Sequence, residues 1–237
     1  MSLNSVMTAY RAAEYALALE ETETLKRGSS KTPEYCFFRG AILHKLGRFV
    51  EAEAILREGL PLQPDDRTRA LSYNTLAEVL MDQERFEESI ECFRNAGRTW
   101  PGRGSNLRGV AEVWLRQGRH LPEALESARQ AVEIDRHAEG MVKEALDQRV
   151  GEDLAVLAWA VAANSGAHSE VKLLLEEAFS LCGTRSRPVS AQLHYHAGKA
   201  YQAINERERS QEHFGHASEI EPQGVFGRLA RAEARPV

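Results

Sequence analysis

Apolar residues in this chain recur at three- and four-residue spacings between polar ones, and runs of alternating β-branched residues are missing, so the pattern predicts an all-α protein. The first such stretch, Asn4 to Lys26, reads as one long helix without internal Gly or Pro. Its apolar stripe runs through Leu3, Val6, Met7, Tyr10, Ala13 and Leu17, fades over Glu20 to Thr24, and ends at Gly28-Ser29-Ser30. Such a helix is expected to cap the first of the elements that follow. At the other end, Phe226, Leu229 and Ala230 stand at helical spacing among Arg228, Arg231 and Arg235, which predicts a short solvating helix.

Between these ends the stripes come in pairs that repeat about every 34 to 37 residues, most clearly in Tyr73 to Pro101 and His194 to Pro222. Gly40, Ala52 and Pro64 lie at successive intervals of twelve, and Ala77, Ser89 and Pro101 repeat those intervals 37 residues later. The third copy has Ala111, Ala124 and Ala131, is one residue longer through Gly118-Arg119-His120-Leu121-Pro122, and closes at Arg136. The last returns to regular spacing with Gly198, Tyr201, Ser210, Phe214, Ala217 and Pro222, and a poorer copy before it carries Trp159, Ala162, Leu175 and Ala178. Its closing position, Gly183, lies 47 residues after Arg136. The extra length is predicted to be added helix over 138–164, either a harmless insertion on the rim or a segment that extends a binding groove or contacts a partner.

Each repeated position has a physical reason. Small residues are needed where two antiparallel helices cross closely, since a larger side chain there costs about 1 to 3 kcal/mol of overpacking. The aromatic or Leu positions fill the space beside the crossing. Proline after the second helix cannot continue it and turns the chain towards the next pair. A single hairpin cannot bury its stripe, so several must stack.

The set Gly40/Ala52/Pro64, Tyr73/Ala77/Phe93/Pro101 and His194/Gly198/Tyr201/Phe214/Pro222 resembles the tetratricopeptide repeat pattern, over roughly residues 33 to 224. Cys36, Leu107 and Ala155 stand where that pattern usually has an aromatic. The resemblance implies a right-handed α-solenoid forming one domain: a capping helix over 1–32, repeats over 33–69, 70–103, 104–138, 139–190 (irregular) and 191–224, and a second cap over 225–237. It also implies a concave face lined by the first helix of each hairpin. On a 3.6-residue period that face carries Phe37, Ala41 and His44, then Asn74, Glu78 and Met81, then Arg108, Glu112 and Leu115, and finally Tyr195, Lys199 and Gln202. Phe37, Met81, Leu115 and Tyr195 would anchor an extended peptide or an amphipathic helix, and Arg108 and Lys199 would orient its charge. The carboxylate clamp of chaperone-binding relatives is not expected, because Phe37 and Ala41 replace its Lys and Asn, and Arg108 is followed by Glu112.

Composition narrows the partner class. A net charge of -5 and a pI near 6.0 give no basic field for phosphate backbones, so nucleic acid is not expected. The apolar run Leu154 to Ala163 is too short to span a bilayer, so no membrane partner is expected. Met1 to Lys26 lacks the basic start and unbroken apolar stretch of a signal peptide, and Cys36, Cys92 and Cys182 show no paired spacing, which together point to the cytoplasm.

No catalytic order of Ser, His and Asp, no phosphate loop and no cofactor motif stands out. Gly102-Arg103-Gly104 reads as a loop between repeats, without the strand a nucleotide site requires. His194, His196, His213 and His216 crowd the last hairpin, but His194 and His196 point about 200° apart along a helix, so no three-ligand metal set is expected. The sequence thus predicts a non-catalytic protein-binding scaffold or adaptor without cofactor or metal. A chaperone for an unfolded or secreted client, and a regulatory or structural subunit whose ends form a homo-oligomer, are the alternatives.

Overall fold

The computed structural model describes residues 3–28, 30–182 and 186–234. Ser29, Gly183 and Arg235, which figure in the sequence reading, lie outside them. Among the described residues there are thirteen α-helices and no strand. They are α1 (Leu3–Arg11), α2 (Tyr15–Glu21), α3 (Pro33–Lys45), α4 (Phe49–Gly59), α5 (Asp66–Asp82), α6 (Phe86–Thr99), α7 (Ser105–Gln117), α8 (Leu121–Arg136), α9 (Lys143–Ser165), α10 (His168–Cys182), α11 (Arg187–Ala203), α12 (Arg207–Ile220) and α13 (Val225–Glu233). The fold is all-α, built from successive helix hairpins, as the periodicity predicts. The chain divides into two compact units, one holding α1 to α6 and the other α7 to α12 with most of α13.

Every hairpin turns through a residue in the left-handed region: Ala13, Gly47, Glu84, Gly118, Gly166 and Asn205, with φ from 58° to 75°. At five of them the following N–H reaches back five residues to the first helix. Glu14 donates to Ala9, Arg48 to Leu43, Arg85 to Leu80, Arg119 to Trp114 and Glu206 to Tyr201, at 2.9 to 3.1 Å. This bond closes the open carbonyl end of the first helix and reverses the chain.

Where the apolar stripe predicts one helix from Asn4 to Lys26, the chain forms two, α1 and α2. Ala13 breaks the stretch into the hairpin α1/α2, a turn reached without Gly or Pro because Ala tolerates the left-handed conformation at a modest cost. Val6 and Ala18 stand seven residues before and five after Ala13, the offsets of Gly40 and Ala52 from Gly47, and both are fully buried. The N-terminal segment is therefore a further degenerate copy of the repeat.

The small residues lie where the repeat requires them. A methyl group added at Gly40 would come within 2.5 Å of Leu56, and one at Gly198 within 2.5 Å of the Phe214 ring. Ala52, Ala77, Ser89, Ala111, Ala124 and Ala217 are fully buried. Ser89 Oγ donates to the Ala77 carbonyl across the crossing at 2.8 Å, so the two backbones nearly touch. Before Pro64, Pro101 and Pro222, Gln63, Trp100 and Glu221 take extended or irregular backbone angles, as a following proline favours. Thr32 and Asp65 cap α3 and α5, accepting from the Tyr35 and Thr68 N–H groups at 3.1 and 2.8 Å.

In the irregular repeat, residues 137–142 form a loop, with Gly140 at φ 73°, and helix begins only at Lys143. The predicted helix over 138–164 is thus shorter at its start, yet α9 still runs 23 residues against 13 in α7. From Arg149 to Ala162 every α9 residue is buried, since α7, α8, α10 and α11 all pack against it. Gly151 admits the second helix closely, since a methyl added there would collide with Cys182 Sγ and the Ala178 carbonyl oxygen.

Two stability changes follow. Gly198→Ala gains up to about 1 kcal/mol of helix propensity but presses on the fully buried Phe214 ring at an overpacking cost of about 1 to 3 kcal/mol, so denaturant unfolding should show a net loss. Glu84→Gly should raise stability by up to about 1 kcal/mol, because it relieves a left-handed strain larger than the backbone entropy that glycine adds to the unfolded chain. A lower melting temperature for Glu84→Gly than for the parent would refute that reading of the turns.

Candidate peptide-binding cleft

Within the first unit, the first helices of three hairpins, α1, α3 and α5, line a cleft of about 210 Å³. Met7 and Tyr10 come from α1, Phe37, Phe38, Ala41, His44 and Lys45 from α3, and Thr75 and Glu78 from α5. The surface is mainly apolar, with Phe37 and Phe38 set edge to face at 5.1 Å. Beside it, the buried His44 ring places Nε2 2.7 Å from Asp82 Oδ2 and ties α3 to α5. His44 Nδ1 lies 4.0 Å from the half-exposed Glu78 carboxylate, so the polar groups gather at one margin. At this volume the cleft is below the roughly 300 Å³ at which small-molecule sites begin, and suits one or two side chains of a longer ligand.

Four of the residues predicted from sequence, Phe37, Ala41, His44 and Glu78, therefore meet in one place. Asn74 and Met81 are buried in α5 and do not line the cleft. Met7 and Tyr10 were missed as site residues because α1 was read as part of a cap, although both stood in its apolar stripe.

In the second unit the predicted face is engaged by the protein itself. Arg108 is buried and pairs with Glu152 at 2.9 Å and Asp153 at 2.8 Å, joining α7 to α9. Asp135 accepts from the Gly104 N–H at 2.8 Å and also pairs with Arg149. Burial is the largest influence on Asp153 and raises its pKa well above the usual carboxylate value, although Arg108 acts in the opposite direction. Burial also pushes Glu112 up, but the charges of Arg116 and His196 outweigh it and hold this carboxyl below its ordinary value. Leu115 is buried in the same core. Tyr195 packs against Phe214 and Phe226, while Lys199 and Gln202 both reach Glu233 of α13, at 2.8 and 3.3 Å. Arg108 and Glu112 were assigned to an open face because periodicity gives a side chain's direction, not what packs there.

The thiols are buried or half-buried, and burial raises Cys36 and pushes Cys92 up to about 11, which suits packing rather than reactivity. Among the described residues no three His, Cys, Asp or Glu side chains converge on a metal position as they stand. His194 of α11 nevertheless meets His213 of α12 with 2.9 Å between their Nδ1 atoms, and His216 lies beside them. No described helix is long and apolar enough to cross a membrane.

Residues 74–139 match the family model described as tetratricopeptide repeat. No curated protein sequence matches the chain. Among solved structures, BtubC from P. vanneervenii is similar in fold at 18% identity, covering 99% of this chain and 93% of that one with a TM-score of 0.54. TTC0263, described as a thermophilic tetratricopeptide repeat protein in Thermus thermophilus, is 16% identical and covers 86% of this chain and 98% of that one, with a TM-score of 0.57. At these identities the likeness is one of fold.

The histidine pair makes stability depend on pH. Burial, assisted by the charges of His213 and His216, depresses His194 to about 4, and burial lowers His213 as well. Between an unfolded value of about 6.5 and the folded value, the unfolded chain binds more protons, so stability is greatest above that window and falls as pH is lowered through it. Urea unfolding at pH 7.5, 5.5 and 4.5 should show a smaller acid loss for His194→Gln than for the parent.

Proposed function

Because residues 74–139 match the tetratricopeptide repeat model and the chain shares the fold of such arrays, we propose that it is a non-catalytic scaffold or adaptor that holds a peptide or helix of a protein partner in the cleft of its first unit. The observation that carries this reading is the convergence of α1, α3 and α5 on one mainly apolar cleft. A ligand helix or extended segment would insert a large apolar side chain between Tyr10, Phe37 and Ala41. A polar group beside that anchor would face Glu78 and His44, and fix direction. The remaining surface contributes shape and excludes water.

The closed state of the second unit supports placing the partner on the first. Arg108, Glu112 and Lys199 already have ionic partners within the fold, and displacing those of the buried Arg108 and Glu112 would leave buried charges unpaired. Three free cysteines, two of them fully buried, fit work in a reducing compartment such as the cytoplasm.

Ala41→Arg fills the cleft from the solvent side of a half-buried position, with little effect on the hairpin core. The test is a peptide array probed with the full-length chain, followed by fluorescence anisotropy on the strongest sequences. Ala41→Arg and Phe37→Asp should each weaken binding at least about tenfold, the effect of losing a central apolar anchor worth about 1.4 kcal/mol or more. Arg108→Gln should leave the affinity of a properly folded sample unchanged. Binding that ignores both cleft substitutions would remove the cleft from the proposal.

A further inference from the structure

The geometry points to a second kind of site, independent of the peptide cleft: His194, His213 and His216 bind a divalent late transition-metal ion of the nickel, copper and zinc group. Two of the donors are already in place. His194 Nδ1 and His213 Nδ1 face each other across α11 and α12 at 2.9 Å, one imidazole donating and the other accepting. Two nitrogens bound to one tetrahedral ion at about 2.0 to 2.1 Å lie about 3.3 Å apart, so an ion takes the place of the shared proton once the donating ring carries that proton on Nε2 instead, after an opening of a few tenths of an ångström and a turn of the rings.

The site is built rather than incidental to a surface. The His213 ring stacks with both Phe179, at 5.6 Å and 25°, and Tyr201, at 5.3 Å and 18°, which restrains its plane. Phe179 also packs against His194 at 4.9 Å. Aromatic rings from α10 and α11 therefore hold both donors, which lowers the cost of organising them on binding.

His216 supplies the third donor. It lies one turn beyond His213 on the same face of α12, with its ring centroid 5.1 Å from that of His194. As the side chains stand the three nitrogens do not converge, but the His216 side chain is 48% exposed and can rotate into the set. An all-imidazole set selects nickel, copper or zinc over magnesium and calcium, which take oxygen ligands.

Isothermal titration of the full chain with zinc chloride at pH 7.5, with magnesium chloride as comparator, tests this. The expected result is uptake of one zinc and no magnesium, with the melting temperature raised by zinc. His216→Ala removes an exposed ring and leaves the core intact, as far-UV circular dichroism will verify, and should weaken zinc binding at least about tenfold. His213→Phe should abolish it, and His137→Ala, at an exposed position outside the cluster, should change nothing. No zinc uptake by the parent, or uptake unaltered by His216→Ala, overturns the proposal and leaves the three histidines a packing cluster. Should His213→Phe fail to fold, His216→Ala still decides the matter.

Discussion

Close contact between paired helices, repeated on either side of a left-handed turn, is the constraint on which this structure rests. Gly40 against Leu56, Gly198 against Phe214 and Ser89 against the Ala77 backbone are three versions of the same approach. Each requires a small residue about seven positions before the turn and another five or six after it. Once that contact is made, the apolar residues beside it have only one neighbouring surface on which to be buried, that of the next hairpin. The turn supplies direction and the crossing supplies distance, so the repeat length follows from both.

The exception is α9, which has Trp159 where the regular copies have Gly or Ala. An indole at that position is accommodated because the helix is longer and is covered by four neighbours, so its surroundings resemble the centre of a small helical core more than one layer of an array. Enclosure also explains the charges at its start. The buried Arg149 pairs with Asp135 and the buried Arg108 with Glu152 and Asp153, so each guanidinium meets a carboxyl group. These pairs bind α9 to α7 and α8 while giving the second unit a closed interior.

That difference gives the two units different capacities. In the first, α1, α3 and α5 leave an apolar recess between them. In the second, residues at comparable positions are consumed by α9 and α13. His194 of α11 and His213 of α12 then stand apart, held by each other and by aromatic rings. A recess suited to an anchoring side chain and an imidazole cluster suited to an ion are separate chemical opportunities on one scaffold.

Much of the fold was legible because helix crossings impose residue size at fixed separations, and size is written directly in Gly40, Ala77, Ser89 and Gly198. The hairpin α1/α2 escaped notice because Val6, Ala13 and Ala18 obey the offsets without glycine or proline to mark them. Four of the nine residues lining the cleft were legible for a similar reason, since Phe37, Ala41, His44 and Glu78 follow from the period of two helices. By itself, then, the sequence determined an all-α chain of paired helices, the positions of most crossings and which residues share a helix face, all consequences of local geometry. Tertiary structure alone decided which faces stay open, that Arg108 and Glu112 turn inward, and that His194 rather than His196 joins His213. Those outcomes depend on what an adjacent element brings to the same space, and no spacing along a single helix contains that information.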